Sequence, residues 1–152
     1  MRKLQEVEEA KALMTEAMEW SVFTWLFRKS RVRETADRAN AALDALNRAI
    51  KEQWDGEVRL AYKSLSARSR TKGNGATPPH TNEETKIFVQ QVKEADDAAH
   101  HARLTAEETF DEAERQLNTS LAREGCRQAI HSWQLHEKAI RRAEMGVKHG
   151  AK

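Results

Sequence analysis

Apolar residues recur every three or four positions along most of the chain, and one short stretch interrupts them. From Leu4, Val7 and Met14 through Val22, Trp25, Val32, Ala39, Leu43 and Ile50 to Trp54, Val58, Ala61 and Leu65, they fall on one narrow stripe at about 100° per residue. That spacing predicts a first helical arm over residues 2–67, about 95 Å long if unbroken at 1.5 Å per residue. Asp55-Gly56 is its weakest point, because glycine inside a helix costs about 1 kcal/mol and Asp-Gly also signals a turn.

The interruption reads SRTKGNGATPPHTNEE. Gly73, Gly75, Pro78 and Pro79 cannot continue a helix, so residues 69–81 are expected to form a flexible loop. Thr81 and Glu84 then have capping-box spacing, with Asn82 as an alternative cap, which starts a second arm over 82–148. Phe88, Val92, Ala99, Ala106, Phe110, Ala113, Leu117 and Leu121 share one face of it. Beyond Gly125 the apolar set of Cys126, Ile130, Trp133, Ile140 and Val147 is displaced around the axis, so a kink or break is expected near Gly125. Gly146 or Gly150 is placed to stop the arm.

The pattern therefore predicts an all-α fold: a single domain over 1–152 built as a long antiparallel helical hairpin. Charge favours that sense, since residues 28–72 carry a net +6 and residues 83–124 a net −6. A bare hairpin leaves much of its stripe half-covered. The expectation is that two copies complete a four-helix bundle, a homodimer with coiled-coil-like seams.

The densest apolar run, EWSVFTWLF at 19–27, sharpens this. Val22 and Trp25 lie on the main stripe, but Trp20, Phe23 and Phe27, with Leu13 before them, lie on a second face. Folding at the loop brings Ile130 and Trp133 beside that face. Leu13, Trp20, Phe23, Phe27, Ile130 and Trp133 are thus the candidate interface. A membrane foot is the rival reading, because Arg28, Lys29, Arg31 and Arg33 follow the aromatic run. Glu16, Glu19 and Glu34 around it argue the other way.

Composition adds exclusions more than chemistry. A formal net charge of +2 supplies no bulk field toward nucleic acid or acidic membrane. The single cysteine, Cys126, forms no internal disulfide, and the acidic start MRKLQEVEEAKALM does not read as a secretory leader; both fit a cytoplasmic protein. Asp97 and His100 form one D-x-x-H pair on a helix, the secondary candidates for a metal. Lys63, Arg68, Arg70 and Lys72 are the secondary candidates for nucleic acid, with only Tyr62 near to stack on a base. Cys126 lies on an apolar stripe, where a thiol is ordinarily inert. No catalytic constellation, phosphate loop or cofactor motif is present. The reading is a non-catalytic self-association or protein-interaction chain.

Overall fold

The computed structural model describes residues 2–70 and 82–150, with side chains placed over 5–66 and 82–147. Every element among them is α-helix: α1 (Arg2–Ala17), α2 (Val22–Glu52), α3 (Gly56–Arg70), α4 (Glu83–Gln116) and α5 (Thr119–Gly150). No helix among these residues is long and apolar enough to cross a membrane.

The first arm is three helices, not one. α1 ends in a tight turn, with Glu19 N–H bonded to Glu16 O and Trp20 N–H to Ala17 O. Ser21 then caps α2 from an extended backbone, its hydroxyl accepting the Thr24 N–H. The serine is the local signal for this break. The reversal lays α1 back along α2 and α5, where Lys11 pairs with Glu137. The second break falls at the Asp-Gly weak point. α2 stops at Glu52, and Asp55 Oδ1 accepts the Glu57 N–H at 2.7 Å to start α3. α3 then advances in the same sense as α4: Glu57 Oε1 accepts the N–H of Asn82, just before α4, and Tyr62 bonds Asp96 further along. A continuous first arm would have run the opposite way.

Asn82 is the N-cap of α4, its side chain accepting the Thr85 N–H at 2.7 Å. Residues 69 and 70 close α3, and the rest of the expected loop, 71–81, lies outside the described residues. The second arm also breaks elsewhere than expected. Leu117 ends α4 in the left-handed region (φ 50°, ψ 44°), and Asn118 Oδ1 caps α5 by accepting from Ser120 and Leu121. α4 and α5 pack along each other more extensively than any other pair of helices.

α5 runs unbroken through Gly125. The glycine is there for space: a Cβ would sit 2.8 Å from the Phe110 ring. The same holds at Gly146, where a Cβ would press on Phe88 at 2.8 Å, so this residue is a helix–helix contact and not a stop. These two glycines let α5 lie close against the aromatic residues of α4.

This yields a stability prediction. Gly125→Ala gains about 1 kcal/mol of helix propensity but over-packs a buried ring, which costs about 1–3 kcal/mol. A net loss of about 1 kcal/mol is expected in urea unfolding. Gly56 has nothing within 4 Å of a built Cβ, so Gly56→Ala is expected to stabilise by about 0.5 kcal/mol. Equal effects at the two sites would contradict the close α4–α5 approach.

The core is continuous across all five helices, from Val7 and Met14 through Trp25, Val32 and Leu43 to Val92, Phe110, Cys126 and Trp133. Two buried indoles stitch it. Trp133 Nε1 donates to Asn40 Oδ1 at 2.9 Å, and Trp54 Nε1 donates to Ala143 O at 2.7 Å. With Arg123 donating to Trp20 O, these bonds advance together along α2 and α5, so the two helices are parallel. α4 runs antiparallel to α2, linked by Arg33–Asp111, Asp44–Arg103 and Lys51–Asp96.

Candidate functional site: an apolar end on α2 and the α4–α5 turn

The second face of the aromatic run is divided by the fold. Trp20 is only 7% exposed and meets Trp25 edge-on, ring centroids 5.4 Å apart. Trp133 is 1% exposed, at the centre of the core. Leu13 and Ile130 are half-buried against that core. These four candidate interface residues are covered to this degree within one chain. The reason is the break at 18–21, which folds α1 over the face that a continuous helix would have left open.

Phe23 and Phe27 remain outside, 74% and 87% exposed. They stand one turn apart on α2. Val22 and Leu26 stand beside them, also exposed, although the stripe had assigned Val22 to the core. Leu117, 68% exposed, faces the same end from the α4–α5 turn. Val22, Leu26 and Leu117 rim a pocket of about 100 Å³ whose inner wall includes Trp25, Val32 and Phe110. The Trp25 indole nitrogen is buried there without a hydrogen-bond partner.

Leu117 carries the one positive φ among the described non-glycine residues. A left-handed residue after a helix is ordinarily glycine or asparagine, and a leucine there costs on the order of 1 kcal/mol. The backbone turn closes α4, with Asn118 N–H bonded to Ala113 O at 3.0 Å and Leu117 N–H to Glu114 O at 3.4 Å, while the leucine side chain itself lies largely in solvent. No turn signal in the sequence singles out this leucine.

Charge divides around the apolar end. On α2, Arg28, Lys29 and Arg31 are exposed, and among the described residues none has a carboxylate in ion-pair range. Arg28 lies over the Trp20 ring at 5.7 Å. Arg33 is committed to Asp111 at 2.8 Å and sits over the Phe110 ring. On α4 the same end carries Glu107, Glu108, Asp111 and Glu114, all exposed.

The other candidates are scattered. Asp97 is exposed and paired with Lys93, one turn away; His100 is exposed. Among the described residues no three His, Cys, Asp or Glu side chains come together as metal ligands. Burial pushes the Cys126 thiol up to about 12, far from a reactive thiolate. His136 is buried behind Arg103 and Asp44, and burial, then the Arg103 charge, lowers its pKa. Lys63 lies on a cleft between α2 and α3. Arg68 and Arg70 belong to the last turn of α3, and Lys72 lies outside the described residues.

No protein-family model matches the chain, and no curated protein or solved structure matches it significantly.

Proposed function

We propose that the chain is a non-catalytic helical module that pairs with a second copy of itself through the apolar end. Leu117 carries this reading: an exposed leucine held in a backbone conformation that disfavours it, beside Val22, Phe23, Leu26 and Phe27. A glycine would make the same cap bonds without the strain, so the exposed leucine side chain is what this position adds. Contiguous apolar surface rimmed by charge is the usual form of a protein-binding face.

A second copy fits better than a membrane. An anionic lipid surface would attract Arg28, Lys29 and Arg31 but meet Glu107, Glu108, Asp111 and Glu114 at the same end. A two-fold contact satisfies both edges, because the basic edge of one copy faces the acidic edge of the other. The pairing we propose is end to end. It differs from interleaved hairpins, because α1, α2, α4 and α5 of one chain already share a core. A reducing, cytoplasmic setting belongs to the same reading, the one cysteine being a buried thiol.

Sedimentation velocity tests it. The wild-type chain is expected as a dimer at micromolar concentration, and Phe23→Ser/Phe27→Ser as a monomer of unchanged helicity. Leu117→Gly separates association from folding: it relieves the left-handed strain, so the monomer gains about 1 kcal/mol while dimerisation weakens at least tenfold. A wild-type monomer at about 100 μM, or a dimer indifferent to these substitutions, overturns the reading.

A further inference from the structure

At the opposite end from the apolar patch, the α2–α3 turn opens a cleft of about 590 Å³. That volume is in the range of small-molecule sites. Its charged lining is unbalanced. Arg48 on α2 and Lys63 on α3 are both exposed, and neither has a carboxylate within ion-pair distance among the described residues. Arg59, between them on α3, is held against the cleft by donating to Glu52 O and to Trp54 O at 3.2 Å. Its guanidinium keeps further N–H groups free.

The remaining charges are spoken for, apart from one. Lys51 is neutralised by Asp96, and Asp44 by Arg103 at 2.8 Å. Glu52 is the single unpaired carboxylate on the lining. Three cations against one anion leave a focused positive site.

The wall is preorganised. Tyr62 OH donates to Asp96 at 2.8 Å, Lys51 lies 4.1 Å from the Tyr62 ring centroid, and the buried Trp54 meets the same ring edge-on. Lys51 occupies one face of Tyr62 and Trp54 is buried, so a nucleobase finds little to stack on, which disfavours single-stranded nucleic acid.

We propose that this cleft binds a small phosphorylated molecule, its phosphate held by Arg48, Arg59 and Lys63. The site stands independently of the apolar end. Arginine matches phosphate oxygens in a planar fork, and the lysine adds a point charge.

Titration calorimetry of the full chain in about 50 mM KCl tests it, with ribose 5-phosphate, ribose and a short DNA duplex as probes. Ribose 5-phosphate is expected to bind saturably, and ribose not at all. Arg48→Glu and Lys63→Glu, both exposed and so tolerated by the fold, are each expected to weaken binding at least tenfold while circular dichroism stays unchanged. No saturable binding of ribose 5-phosphate, or binding indifferent to both substitutions, overturns the proposal. So does a duplex that binds through Lys63 when ribose 5-phosphate does not, since the cleft would then grip a nucleic-acid backbone.

Discussion

Trp133→Ala is expected to cost about 3–5 kcal/mol in urea unfolding, the largest single loss in this chain. The indole is fully enclosed on α5, so truncation leaves a cavity that the surrounding helices fill only in part. It also strips Asn40 Oδ1 of the donor it meets at 2.9 Å, and Asn40 is itself buried on α2. An orphaned buried acceptor adds about 1–3 kcal/mol, already within that range because the two losses share one site. For a domain whose total stability is about 5–15 kcal/mol, this is a large fraction. Trp133→Phe keeps most of the volume and loses the bond, so about 1–3 kcal/mol is expected. Asn40→Leu in the Trp133→Phe background should cost less than the separate losses combined, because the unpaired amide goes with its partner. Concentration is the discriminating variable. A core tryptophan costs the same whether the chain is monomeric or dimeric, whereas the loss at an interface tryptophan shrinks once the chain is diluted to monomer. A loss below about 1 kcal/mol would contradict the burial of this ring.

That contrast marks where the sequence could and could not be read. Helical periodicity made the core legible: Val7, Met14, Trp25, Val32, Ala39, Leu43, Ile50 and Trp54 were on the stripe and are buried. The breaks were hidden by the same regularity. Residues 18–21 turn the chain without shifting the stripe's phase, so the run from Met14 to Trp25 looks uninterrupted. Only Ser21 signalled the cap. A glycine has two meanings that one sequence does not separate, a stop or a close approach. Gly125 was read as the first and is the second, because Phe110 lies where a Cβ would go. Asn118-Thr119-Ser120 did offer caps for α5, but the apolar face carried past them. At the apolar end, Phe23 and Phe27 were legible as part of a second apolar face of the helix, apart from the main stripe. Leu117 was not, because its conformation, and not its composition, sets it apart.

Asp96→Ala is expected to cost about 2–4 kcal/mol and to release α3 before the other helices. This carboxylate joins three elements: from α4 it accepts from Lys51 of α2, from the Tyr62 hydroxyl of α3 at 2.8 Å, and from Asn47 at 3.5 Å. Its removal leaves the Lys51 ammonium without a counter-ion and the Tyr62 hydroxyl without that acceptor. Breaking one side of a fully buried pair costs about 3–5 kcal/mol. Lys51 and Asp96 keep some solvent contact, their side chains 18% and 15% exposed, so a smaller figure applies. Asp96→Asn keeps an acceptor for Tyr62 and loses the charge, and should fall between. The neighbouring Asp97, one half of the sequence's metal-like pair, is the control. It is exposed with a single Lys93 partner one turn away, so Asp97→Ala should change stability by less than about 0.5 kcal/mol. Location is read by hydrogen exchange. α3 meets the rest of the chain mainly through α4, with Tyr62–Asp96 and Glu57–Asn82 among its polar ties there. Amides of residues 58–66 should therefore lose protection in Asp96→Ala while those of α5 keep it. Uniform loss along all the helices would mean that Asp96 supports the whole core and not the α3 junction. That junction forms one wall of the phosphate cleft, so the same substitution should also weaken ribose 5-phosphate binding, although Asp96 repels phosphate. Tighter binding would show that charge alone, and not the held position of α3, sets the affinity of the cleft.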